Sequence, residues 1–150
     1  MASVTKWLPH VGRVLLGLPF FVFGLNYFIP FMPMPPPPEG PQGAFFAGLV
    51  VTHILAAAKV VEVVSGLLLL ANRFVPLALT ILAPVLIAIV LINAAYNPSQ
   101  LGLPIVLVLI ELALAWHHRH AFAGVLRAKA TPEVATDAKG QRVPAASAAT

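Results

Sequence analysis

The sequence predicts an all-α integral membrane protein, an antiparallel four-helix bundle with both termini cytoplasmic. Three observations predict it. The 150 residues are 59% hydrophobic and only 9% charged, too little charge to cover a water-soluble domain of this size. Four apolar stretches each reach the roughly 20 residues that a bilayer crossing needs. Lysine and arginine flank those stretches on one side only.

The first stretch, 11–31, follows a short segment, 1–10, that carries Lys6. Its run VLLGLPFFVFGLNYFIPF is longer and bulkier than the apolar part of a signal peptide, and no small-residue cleavage site follows, so a retained first span is expected. The connector 32–46 contains MPMPPPPEGPQG, whose consecutive prolines remove backbone donors and favour an extended polyproline II conformation. The second span is placed at 47–71, with its apolar run beginning near Ala44, so that its first turns tilt or lie in the interface. The third and fourth spans fall at 74–96 and 101–122. The connections at Asn72-Arg73 and 97–100 are so short that neighbouring helices must be adjacent and antiparallel. The tail 123–150 is small, polar and non-periodic, and is expected to be a mobile cytoplasmic segment.

Orientation follows from the basic residues. Lys6 and Arg13 mark the N-terminal side, Arg73 the second-to-third turn, and Arg119, Arg127, Lys129, Lys139 and Arg142 the C-terminal side. The connectors 32–46 and 97–100 hold neither lysine nor arginine, so the basic flanks agree on the cytoplasmic face of a bacterial inner membrane. Trp7 and Trp116 fall at the inner boundary and Tyr27 and Tyr96 at the outer one, as interfacial aromatics do.

Composition also narrows the chemistry. The absence of cysteine from the sequence leaves no disulfide, thiolate metal site or iron–sulfur cluster. The net charge of +4 comes from segment ends and the tail rather than from a basic patch with interleaved polar residues, which argues against nucleic acid. The sequence has no nucleophile elbow, phosphate loop, dinucleotide fingerprint or zincin motif, so no catalytic residue is assigned.

The informative residues are the ionisable ones within the spans, each of which costs on the order of 3 kcal/mol in hydrocarbon even on a lenient scale. They are Arg13, Lys59, Glu62 and Glu111. Lys59 and Glu62 lie three apart on one helix face, and two positive with two negative groups sum to zero. A neutral cluster facing the bundle interior is expected, with two readings open: an interhelical lock, or a ligand or proton site. Arg13, Gly17 and Gly24 share a stripe, so that face carries a charge and admits a close helix neighbour; such glycine-bearing faces also suit a homo-oligomer.

Secondary candidates are His53, Asn26, Asn93 and His118. His53 is expected to bond a backbone group of the third helix, and Asn26 and Asn93 to meet each other or a lipid headgroup. The run WHHRH holds His117, His118 and His120, of which His118 alone could pair with His10 across helices; the three spread around the helix, so neither haem nor metal is predicted and a cationic C-terminal cap is expected instead. Pro19 and Pro84 each remove a mid-span hydrogen bond and mark expected kinks.

These residues resemble the DoxX family of small bacterial four-helix membrane proteins. The resemblance lies in GRVLLGLPFFVFGLNYF, in AAAKVVEVVSGLLLLANRFVPLAL and in VLIELALAWHHRHAF, and covers most of residues 11 to 125. Its most specific part is Lys59, Glu62, Gly66, Asn72, Arg73 and Pro76. It implies a four-helix membrane bundle, similar to DoxD-type subunits of thiosulfate:quinone oxidoreductase, associated with a partner oxidoreductase and with quinone as the implied ligand. A lipid-binding or transport protein, or a purely structural membrane assembly module, is the alternative.

Overall fold

In the computed structural model the described residues are 2–122, apart from the side chains of residues 2–6 and 8, and outside the non-helical connector 29–39 they are helical between short turns. The elements are α1 (Ala2–Phe28), α2 (Gly40–Val51), α3 (Ile54–Leu70), α4 (Val75–Tyr96), α5 (Gly102–His117) and α6 (Arg119–Phe122), with a single 3-10 turn at Pro98–Gln100. The tail 123–150 lies outside the described residues. Two segments, Pro9–Phe28 and Val75–Tyr96, are each long and apolar enough to cross a membrane, and α2 with α3 makes a third if the bent pair is one span. At 16 residues α5 is shorter, roughly 24 Å.

The boundaries differ from the expected ones in several places, beginning with α1, which starts at Ala2 within the expected leading segment and ends at Phe28 rather than at residue 31. The span placed at 47–71 is broken: α2 and α3 meet at 78° across Thr52-His53. His53 adopts the left-handed conformation (φ 59°), and the Thr52 hydroxyl bonds the Gly48 and Leu49 carbonyls, so the two turn residues satisfy the end of α2 in place of the next helical turn. The connector placed at 32–46 is correspondingly shorter, because α2 starts at Gly40 with Pro41 in its first turn, where a missing N–H costs nothing. The stretch placed at 101–122 divides at His118 into α5 and α6. By contrast α1 and α4 continue unbroken past Pro19 and Pro84.

The α3–α4 turn explains the Asn-Arg-Phe-x-Pro sequence. Asn72 takes φ 55° just past the end of α3; its N–H bonds the Leu69 carbonyl (3.2 Å) and that of Arg73 the Leu68 carbonyl (3.0 Å). This is the Schellman closure, and asparagine tolerates its left-handed position better than most residues. Phe74 is also left-handed, and Pro76 sits in the first turn of α4.

α1 packs most extensively on α3 and also on α5, and α4 packs on the same two. The shared core is Leu16, Phe20, Leu69, Val75, Ala78, Leu79, Leu82, Leu86 and Leu114. The outward faces are apolar as well, with Leu18, Phe23, Ile87, Leu91, Leu109 and Leu112 about half exposed. Helices that are hydrophobic all round suit a lipid environment.

Glycines set the register. Gly17 faces the Gly66 carbonyl and Leu69, while Gly24 faces Glu62 and Val63, so α1 and α3 run antiparallel at close approach. Gly12 faces Ile110 and Leu114 of α5. The glycines of the stripe are thus occupied by contacts within the chain.

Candidate functional site

Lys59 and Glu62 sit one turn apart on α3, with Lys59 Nζ donating to both carboxylate oxygens at 2.9 and 2.8 Å. The Glu62 side chain is 6% exposed and that of Lys59 23%, so the carboxylate is inside and the ammonium reaches toward an opening. The pair forms the polar part of a half-open cavity of about 520 Å³ between α2, α3 and α4. Phe45, Phe46 and Leu49 of α2 form one wall. Val85, Ala88 and Ile89 of α4 form the other, together with Pro84 and Asn93. The volume is within the range of small-molecule sites, and a mostly apolar lining with a few polar groups is their usual make-up.

The bend at Thr52-His53 builds this cavity. A straight helix over 40–70 would carry α2 away from α4; the turn lays it beside the end of α4, where Phe45 meets Tyr96 at 6.0 Å between ring centroids. No residue of α2 is fully buried.

The other two charges lie elsewhere. The register puts Glu62 level with Gly24, whereas Glu111 lies on the turn of α5 that faces Gly12, next to Arg13. Twelve residues of α1 separate the two levels, roughly 18 Å. The expected cluster of four is therefore split in two, and among the described residues Lys59–Glu62 is the one ion pair. That pair lies within a single helix and ties no two helices together. Arg13 is 7% exposed and its guanidinium bonds His10 Nδ1, while Glu111 is 8% exposed. Arg13 Nε, Glu111 Oε1 and Ser65 Oγ have no hydrogen-bond partner.

Of the secondary candidates, Asn26, Asn93 and His53 are placed differently from expectation, whereas His118 caps the end of its helix as expected. Asn26 Oδ1 accepts from the N–H groups of Phe31 (3.0 Å) and Met32 (2.8 Å), closing the chain after α1 rather than meeting Asn93. Asn93 Nδ2 donates to the Ile89 carbonyl one turn back, so its amide oxygen is left to the cavity it lines. His53 is exposed at the bend, and its side chain makes no bond to α4 among the described contacts. His118 Nδ1 pairs with the Leu114 carbonyl at the end of α5, and His10 is engaged with Arg13. The α2 wall is not legible in the sequence because 40–46 reads as connector, and Ala88 is not because it is apolar; Pro84, expected as a kink, does line the cavity.

Among curated proteins the chain is similar to Uncharacterized protein YwoB of Bacillus subtilis (strain 168), 29% identical over 134 residues that cover 83% of this chain and 86% of that one. No family model matches the chain, and no solved structure does.

Proposed function

We propose that the chain is a four-span protein of a bacterial inner membrane, N-in and C-in, that binds a quinone-like molecule between α2, α3 and α4. In this reading it is a DoxX-like subunit of a redox assembly in which a partner oxidoreductase supplies the electrons. The observation that carries the reading is the composition of the 520 Å³ cavity: apolar and aromatic walls with one ion pair and one free amide oxygen. A quinone has the matching form, a ring with two carbonyl acceptors on an isoprenoid chain. Lys59 offers donors to a carbonyl, Phe45 and Phe46 offer faces to the ring, and the aliphatic wall takes the chain. The structural-lock alternative is weakened because the ion pair lies within one helix.

The test is native mass spectrometry of the full chain purified in mild detergent, with decylubiquinone added back. One quinone per chain is expected, and Ala88→Phe, which fills the cavity from α4, is expected to abolish it. If quinone neither co-purifies nor binds on addition, the reading fails; phospholipid held in its place in an Ala88-sensitive way would transfer the site to the lipid-binding alternative. For topology, the cysteine-free sequence makes single-cysteine labelling direct: Ser99→Cys is expected to react with an impermeant maleimide from outside and Ser3→Cys only after permeabilisation.

A further inference from the structure

A second concavity lies away from the quinone site, between the outer faces of α1 and α5. It measures about 400 Å³ and runs along Val11, Gly12 and Leu15 on one side and Ile110, Ala113 and Leu114 on the other. Gly12 lies on its floor, where an added methyl group would meet the Leu114 side chain at 3.3 Å and that of Ile110 at 3.7 Å. One end of the groove is different in kind. Trp116, His117 and Arg119 close it, with the Arg119 guanidinium 5.5 Å from the centre of the Trp116 ring and donating to the Trp116 carbonyl. The contact fixes the cation at the rim with its other donors outward.

We infer that this groove is a binding site for one anionic glycerophospholipid, with an acyl chain along Gly12 and the phosphate at Arg119 and His117. Charge decides the occupant. Among the described residues the carboxylates are Glu39 at the start of α2, Glu62 paired with Lys59, and buried Glu111, and none of them pairs with Arg119. The rim is therefore cationic, while the groove beyond it is almost wholly apolar. A lipid with a negative headgroup and an apolar chain meets both parts at once. Trp116, 72% exposed, stands at the junction, the depth at which tryptophan favours the interface. An apolar helix from a second copy would fill the groove and leave the rim unmatched.

The experiment is lipid titration of the full chain in detergent, read by native mass spectrometry, with dioleoylphosphatidylglycerol against dioleoylphosphatidylcholine. Phosphatidylglycerol is expected to bind one-to-one and roughly fivefold more tightly, the gain from one arginine at an anionic surface. Arg119→Gln, an exposed change, is expected to erase that preference while leaving chain-dependent binding. Ala113→Phe fills the groove from α5 and is expected to lower binding of both lipids. Equal binding of the two lipids by the unaltered chain overturns the proposal, as does a preference that survives Arg119→Gln, or dimer formation that Ala113→Phe abolishes without changing lipid binding. Quinone binding in the same preparations reports separately on the other cavity.

Discussion

A methyl group added at Gly66 would sit 2.6 Å from the Phe21 backbone nitrogen, 2.7 Å from the Gly17 carbonyl oxygen and 2.9 Å from the Phe21 Cα. All three are backbone atoms of α1, so no side chain can swing aside, and ordinary contact begins only near 3.4 Å. Gly66→Ala therefore has to push α1 and α3 apart along the most extensive helix contact in the molecule. Overpacking of this kind costs about 1–3 kcal/mol, which lowers the folding equilibrium by between fivefold and somewhat over a hundredfold. Gly17→Ala is milder, its new atom meeting the Gly66 carbonyl at 3.0 Å. Gly48→Ala is the control, since nothing lies within 4 Å of its added methyl and alanine is the better helix former. Reversible unfolding in mixed micelles with increasing dodecyl sulfate should rank stability as Gly48→Ala at or above the unaltered chain, then Gly17→Ala, then Gly66→Ala. If Gly66→Ala unfolds at the same dodecyl sulfate fraction as the unaltered chain, α1 and α3 do not approach each other as described, and the register that separates Glu62 from Glu111 goes with them.

Three further outcomes are expected. Asn26→Ala removes the acceptor of two backbone N–H groups and should cost about 2 kcal/mol; amide exchange should quicken at Phe31 and Met32, and Asn26→Asp, which keeps that acceptor, should restore protection. Lys59→Met leaves the Glu62 carboxylate inside without its partner and should destabilise by roughly 3 kcal/mol, whereas the double change with Glu62→Leu should recover most of the loss; equal instability of the two would mean that the pair is solvated. His53→Gly should be neutral or stabilising by up to about 1 kcal/mol because glycine accepts φ 59° freely, and His53→Val should be destabilising. Thermal melts of the two side by side decide whether the bend is left-handed at that residue.

Legibility in the sequence depended on what kind of information each feature needs. The helix placed at 74–96 begins one residue later in the structure because its limits are chemical punctuation: Asn72 and Phe74 before it, Pro76 in its first turn, Asn97-Pro98 after it. The break at Thr52-His53 has no proline or glycine and interrupts neither hydropathy nor length. The one retrospective signal is two adjacent polar residues in VVTHIL, the first a threonine able to bond backward to carbonyls. Residue type pointed to Arg13, Glu62 and Glu111, which are buried, and to Lys59, which is partly so. Spacing also paired Lys59 with Glu62, since both lie on one helix. Depth between helices is not a property of one helix, and it took the Gly17–Gly66, Gly24–Glu62 and Gly12–Leu114 contacts to show that the four occupy two levels.

Two levels also make better physical sense than one. Four charges at a single depth near the bundle centre would be far from water on either side, and each would need complete compensation from the others. The observed division places Lys59 and Glu62 toward the end where Asn26 closes the chain after Phe28, with Lys59 partly exposed. It places Arg13 and Glu111 one to two turns from His10 and His118 at the opposite end. Each set then lies toward one end of the helices, and the length between them is filled by the core that includes Leu16, Phe20, Leu69 and Leu82. The buried Ser65 hydroxyl, without a hydrogen-bond partner among the described residues, lies on α3 between these two sets. The separation leaves Lys59 and Glu62 to line the space between α2 and α4.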